Sequence, residues 1–307
     1  MIPTSPHILL FTGGDVVANQ YMNQLVPALT GMGVKPIIFI TPANASAKAQ
    51  TDALKHYGFY ERDIMDSVVL PHLDSSSQKG TSLSFNQITT RYKCPVYRVS
   101  SLNDRAIAEA VYADNTIGGL SIYNDAIFTE PLITDLKQKG FFWNVHHGIL
   151  PEQRGVFIPL RTMMNDESHY GCTLHEIEKG IDTGNIISVY KAPLDKRQSV
   201  LQSYLDLVQG GVGLITQAVS QYLREGRVES TPQSHKAAYH TFPTNAEVAL
   251  ASAQGIKLWG SPMEMFNLYT NLFGSSEALS AKLIDAIATY EQETMQSLPV
   301  MAVARVA

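Results

Sequence analysis

The first apolar run of the chain, His7-Ile8-Leu9-Leu10-Phe11-Thr12, is short and closed by Gly13-Gly14. Such a run predicts a strand buried on both faces. From Asn19 to Met32 the apolar positions change period: Tyr21, Leu25, Ala28 and Leu29 fall at helical spacing, and Gly33 closes the stretch as a C′ glycine does. Lys35 to Thr41 is apolar and strand-like again. Strand, helix and strand in this order form a βαβ unit, which implies a parallel sheet with a right-handed crossover. Val68 to Leu70 and Pro95 to Val99 read as further short strands, and the polar stretch from Asp74 to Ser82 between them reads as a solvated loop. Ile117 to Tyr123, Phe141 to His146 and Ile186 to Tyr190 continue the strand series.

After Pro193 the pattern turns helical. Leu201, Tyr204, Leu205, Val208, Val212, Ile215 and Val219 make one face of a helix over Ser199 to Leu223, with a bend expected at Gly210-Gly211. Phe242-Pro243-Thr244 starts a further helix near Asn245, and Pro262 to about Gln296 holds one or two more. The pattern as a whole predicts an α/β domain over residues 1–193 and a smaller, mostly helical C-terminal appendage over residues 194–307.

Composition narrows the class of protein. Of 307 residues, 45% are hydrophobic and 17% charged, which is ordinary for a globular chain. No apolar run approaches the roughly 18 residues of a membrane span, and the N-terminal residues lack the basic segment and cleavage site of a signal peptide. Cys94 and Cys172 are too far apart for a CxxC pair and do not make a disulfide framework, so a reducing, cytoplasmic home is expected. The net charge is −5 and the basic residues are scattered. Nucleic-acid binders concentrate positive charge to neutralise phosphates, so no nucleic-acid partner is expected.

Candidate chemistry lies in two segments. In Phe141-Phe142-Trp143-Asn144-Val145-His146 the apolar run ends in polar residues. Polar side chains at the C-terminal end of a parallel strand point into the crevice where open α/β sheets bind ligands. Asn144 and His146 share a face of the strand, because side chains alternate with period two. In the second segment Asp182 sits in a glycine-flanked loop before a strand, where the backbone can return a carboxylate to the same place. An amide, an imidazole and a carboxylate suit acyl transfer to an amine. His146 can take the proton that an ammonium must lose, Asp182 can orient and stabilise the charged imidazole, and Asn144 can donate to the developing oxyanion.

These segments resemble the folate-dependent formyltransferase family of methionyl-tRNA, glycinamide ribonucleotide and sugar-nucleotide N-formyltransferases. Asn144-Val145-His146, Leu150-Pro151-Glu152-Gln153-Arg154-Gly155 and Ile181-Asp182-Thr183-Gly184 follow the family's Asn-x-His strand end, Leu-Pro-x-x-x-Gly loop and Asp-Thr-Gly loop. Gly171-Cys172-Thr173-Leu174-His175-Glu176 is similar to its Gly-x-Thr-x-His/Gln stretch. The resemblance covers residues 117–192 well and the N-terminal βαβ unit loosely. It implies a Rossmann-like catalytic domain, Asn144, His146 and Asp182 as catalytic residues, and 10-formyltetrahydrofolate as formyl donor. It also implies a pterin beside the Tyr123 to Phe128 stretch, with Ile127 and Gly180 lining its pocket. His147-Gly148 departs from the Pro-Ser that often follows the family's histidine, and Ile158, followed by Pro159, stands where a proline is common.

Other readings stand beside these. His146 and His147 as a metal pair would point to opposite faces of a strand, so no metal is expected. His175 reads as structural. Arg154 fits either an acceptor anion or an exposed loop. Gly13-Gly14 is not a dinucleotide fingerprint. Tyr239, Phe242 and Trp259 fit an aromatic acceptor shelf or packing of the appendage. The expected reaction is formyl transfer to a small amine, an amino sugar nucleotide or a modified amino acid. The alternatives are hydrolysis of formyltetrahydrofolate, disfavoured because the βαβ unit starts at once without a regulatory segment, and a folate-binding sensor without turnover. The appendage would shape the acceptor side or a homodimer contact.

Overall fold

The apolar runs pair edge to edge into one seven-stranded sheet. A computed structural model describes residues 5–42, 51–76, 81–235 and 239–297. Strand β1 (His7–Thr12) lies between β2 (Lys35–Ile40) and β4 (Thr116–Ile122), β3 (Val96–Arg98) forms one edge beside β2, and β5 (Phe141–His146) follows β4. All these pairings are parallel. Two more strands extend the sheet: β7 (His169–Glu176) runs antiparallel to β5, and β8 (Ile186–Pro193) antiparallel to β7, so that β7 alone is reversed. A separate pair of two-residue strands joins β6 (Arg154–Gly155) to β9 (Tyr239–His240).

The buried strands explain themselves. Ile8 to Phe11 of β1 are fully buried, because helices cover both faces of the sheet and leave no polar side. On one face lies α1 (Val16–Gly31), started by Asp15, whose carboxylate accepts from Ala18 N at 2.8 Å. On the other face α5 (Arg105–Tyr112) and α6 (Glu130–Lys139) cover Leu9, Phe11, Phe39 and Phe142.

Val68 to Leu70 is not a strand. Helix α2 (Asp52–Gly58) continues through π-helical turns at Phe59–Asp63 and Met65–Val69 into α3 (Leu70–Ser75). The buried residues Ile64, Met65, Val68, Val69 and Leu73 keep a helical repeat that three apolar neighbours alone do not reveal. Of the polar stretch expected as a loop, residues 77–80 lie outside the described residues. Asp74 and Ser75 end α3, and Ser84 caps α4 (Phe85–Tyr92) with a reciprocal bond to Gln87.

After the short α7 (Ile158–Met164), α8 (Val200–Glu225) is one helix of 26 residues. Gly210 and Gly211 serve close packing in it. A Cβ on Gly210 would lie 2.2 Å from the Tyr190 ring, and one on Gly211 would lie 2.2 Å from the Tyr21 hydroxyl. The apolar face of α8 therefore enters the same core as α1, although it follows residue 193. Beyond it follow α9 (Asn245–Ala253), α10 (Pro262–Phe273) and α11 (Glu277–Ser297). They lean on the α2–α3 run: Tyr269 donates to the Tyr60 carbonyl, Glu291 accepts from Tyr60 at 2.7 Å, and Trp259 stacks on His56 at 4.3 Å. Trp259 is thus a packing residue. Among the described residues no helix is long and apolar enough to cross a membrane.

Candidate active site

A cavity of about 250 Å3 opens beyond the C-terminal ends of β4 and β5. Asn144, His146 and Asp182 all line it. Strand β5 delivers the first two, while Asp182 arrives on the loop between β7 and β8. Asp182 holds φ at +54°, an unusual value for a residue with a side chain. Its surroundings explain how that conformation persists. Gly155 N donates to Asp182 Oδ2 at 2.9 Å, Gln233 Nε2 to the carbonyls of Asp182 (2.9 Å) and Gly184 (2.8 Å), and Arg154 Nε to the Asp182 carbonyl at 3.3 Å.

Asp182 then sits between two imidazoles. Its Oδ2 lies 3.6 Å from His146 Nδ1, and its Oδ1 lies 3.6 Å from His175 Nε2. The other nitrogen of His146, Nε2, meets the Gln153 carbonyl, which only accepts, so Nε2 carries a proton. Nδ1 is therefore the nitrogen left to take up another, next to a carboxylate. Gly148 makes this ring position possible, since a Cβ there would lie 2.5 Å from His146 Nε2.

His175 has the opposite tautomer. Its Nδ1 meets the Glu176 carbonyl at 2.8 Å, which leaves Nε2 to accept from Asn144 Nδ2 at 3.0 Å. The contact follows from register, because Asn144 and His175 are paired across β5 and β7. His175 thus orients the Asn144 amide. Burial holds it neutral by pushing its pKa down to about 4, against the opposing pull of Asp182. His147 accepts or donates one bond, at 2.8 Å, to the Tyr21 hydroxyl, and burial pushes its pKa down to about 3.

The two lowered values set a pH dependence of stability. In the unfolded chain both histidines take up protons as pH falls below about 6.5. In the folded chain they resist until about 4 and about 3. The unfolded state then binds more protons, so stability is lost as pH falls through that window. At about 1.4 kcal/mol per unit of separation, the pair is worth several kcal/mol in order of magnitude. Melting temperature should fall steadily from pH 6.5 to 4, and His175→Gln should remove part of the slope. A variant that loses stability as steeply as the unaltered protein between pH 6.5 and 5 would contradict this account.

The remaining expected residues fall in different places. Ile127 and Gly180 both line the cavity, Ile127 at its exposed rim with 69% of its surface accessible. Arg154 is 4% exposed, not an exposed loop residue. Its Nη2 donates to the Ile181 carbonyl and its Nε to that of Asp182, so these atoms hold the loop and do not face an acceptor anion. Tyr239 and Phe242 line the cavity. The sequence reading missed Glu61, Tyr204 and the inward placement of His147, which also border it. Among the described residues no group of three or more His, Cys, Asp or Glu is disposed to hold a metal ion.

The chain belongs to the formyl transferase family, whose model matches residues 37–218, more than half of its length. A methionyl-tRNA formyltransferase of Methylobacillus flagellatus is 23% identical over 170 residues, 54% of each chain. The chain spans about half the length of the curated relatives it matches. Among solved structures, a 4-N formyltransferase from Francisella tularensis superposes with a TM-score of 0.53 at 12% identity, covering 81% of this chain and 87% of that one. A phosphoribosylglycinamide formyltransferase from Anaplasma phagocytophilum gives 0.53 at 14% identity, covering 77% and 99%. An N-formyltransferase from Helicobacter canadensis, in complex with folinic acid and dTDP-3-aminofucose, gives 0.50 at 20% identity, covering 82% and 79%. These likenesses establish the fold.

Proposed function

We propose that this chain transfers a formyl group from 10-formyltetrahydrofolate to the amine of a small acceptor. The observation that carries the reading is the convergence of Asn144, His146 and Asp182 on one cavity. The lining suits the donor: Phe128, Ile133 and Ile177 offer apolar walls for a flat ring, and the backbone around Ile127 and from Gly180 to Asp182 offers polar groups for its edge. When bound, this donor supplies the formyl carbonyl and leaves as tetrahydrofolate.

The chain's own residues do the rest. Asn144, turned by His175, offers an amide N–H to a carbonyl oxygen that gains negative charge. His146 takes at Nδ1 the proton that the acceptor nitrogen sheds as its bond to the formyl carbon forms. Asp182 stabilises the resulting imidazolium from 3.6 Å. That proton is then available for the nitrogen that leaves. No nucleophilic side chain is required, since the amine attacks directly. At this level the acceptor classes are amino sugar nucleotides and modified amino acids.

The test is turnover. The protein should release tetrahydrofolate from 10-formyltetrahydrofolate only when an amine pool is present. Release without amine would make it a hydrolase. Binding of folate without release in either case would make it a sensor.

A further inference from the structure

We infer that the acceptor end of the cavity selects a phosphate-free amine bearing a second cationic group, as in a diamine or diamino acid, held by Glu61 and the aromatic wall beside it. The inference rests on the proposed formyl transfer and names the acceptor class of the same site.

Three observations carry it. The first concerns the end of α1, where open α/β folds receive phosphate on free backbone N–H groups. Here an intrinsic anion fills that place. Asp15 is 5% exposed and its carboxylate caps the helix through Ala18 N. The same carboxylate folds back over Gly13, so that a Cβ there would lie 2.3 Å from Asp15 Oδ2. The hollow left beside it, bordered by Asp15, Asp125 and Arg62, measures about 20 Å3, which is room for a water and not a phosphate.

The second is the charge of the cavity itself. Among the described lining residues, the carboxylates are Glu61, Asp125, Glu178 and Asp182, and the one Lys or Arg is Lys179. Its ammonium is exposed and lies 3.2 Å from Glu130 Oε2. Glu178 is paired in turn with Lys137, which leaves Glu61, Asp125 and Asp182 as the lining carboxylates that set the sign of the cavity. A phosphate or diphosphate would meet that negative charge, whereas a cation is attracted.

The third is the build of the wall. Glu61 is 1% exposed yet lines the cavity, and its Oε1 accepts from the Tyr123 hydroxyl at 2.5 Å. Tyr123 packs edge-on against Tyr204 and His147, each at 5.2 Å. A carboxylate framed by aromatic rings is a setting that favours an ammonium, through charge and through ring faces together. The second cationic group is needed because the reacting nitrogen must be uncharged when it attacks, and a carboxylate beside it would hold it protonated.

Calorimetric titration of the full chain tests this, first with 5-formyltetrahydrofolate alone and then with added probes. The probes are putrescine, ornithine, glycinamide ribonucleotide and a dTDP-amino sugar. Putrescine or ornithine should bind at least roughly tenfold more tightly than either phosphorylated probe, a difference of about 1.4 kcal/mol. Glu61→Gln, which can still accept from Tyr123, should weaken that binding by roughly 30-fold or more, as loss of one partner of a buried charge pair does. Its affinity for 5-formyltetrahydrofolate should be unchanged. Equal or tighter binding of a phosphorylated probe, no binding of either diamine, or an indifferent Glu61→Gln variant would each overturn the inference. If that variant fails to fold, the preference of the unaltered protein decides alone. Absence of folate binding would instead defeat the proposed reaction, while the comparison of probes would still be readable.

Discussion

His146→Ala should lower kcat for formyl transfer by roughly 10^3-fold, within the range that a positioned general base contributes. The reason lies in the two ring nitrogens. Nε2 is committed to the Gln153 carbonyl, so the ring is held in one orientation with Nδ1 toward Asp182. Removing the ring removes the proton acceptor and leaves the apolar walls at Phe128, Ile133 and Ile177 in place. Donor affinity should change less than about threefold, because the ring acts mainly as the bond to the amine forms. Single-turnover rates and a separate folate titration distinguish the two. A variant with near-normal kcat would remove His146 from the base role. One that lost folate binding in proportion to kcat would make His146 a donor contact.

Asp182→Asn should have an effect of the same order, a fall in kcat of roughly 10^3-fold, below the roughly 10^4-fold that loss of an orienting carboxylate costs in a Ser-His-Asp triad. The substitution keeps an oxygen able to accept from Gly155 N, so the loop should hold its shape. What is lost is the negative charge midway between His146 and His175. The imidazolium of His146 would then form without a counter-ion in a largely buried place, with the side chain of Asp182 only 9% exposed. Circular dichroism and melting should show a folded variant. A folded variant with kcat within tenfold of the unaltered protein would show that the charge is not needed. Nothing in this expectation depends on which amine is the acceptor.

Much of this site can be read from the sequence, and the reasons for the gaps are physical. Asn144 and His146 are legible because β5 is a clean apolar run whose last polar positions alternate. Strands β1, β2 and β4 are legible for the same reason: buried on both faces, they show no competing period. Strand β7 hides better, because Gly171, Cys172, Thr173 and His175 are all buried yet mix polar with apolar types. With β7 unseen, the pairing of Asn144 with His175 is invisible too, since it exists only through cross-strand register. Glu61 could not be found from any local pattern. It comes from a π-helical turn whose residues carry no signature of the cavity they border, and only the packing of α2 and its continuation brings it to Tyr123. His147 was assigned away from the site by strand alternation, but it follows the last residue of β5, where the alternation no longer constrains it. The use of Gly210 and Gly211 for close approach to Tyr190 and Tyr21 is likewise invisible in the sequence, because it depends on partners far along the chain.

The attachment of the Asp182 loop has a consequence for exchanging parts of this chain. The loop is clasped from beyond residue 193: Gln233 binds two of its carbonyls, and Gly155, which binds the Asp182 carboxylate, is paired with His240 so closely that a Cβ would lie 2.1 Å from the His240 oxygen. Segments far apart in sequence therefore hold Asp182 in its left-handed turn together. A graft of the C-terminal third from another family member would import a foreign clasp for this turn. The left-handed turn of Asp182 is thus held from both sides, by Arg154 and Gly155 and by Gln233 and the His240 strand, and replacing the residues after 193 alone would free it on one side.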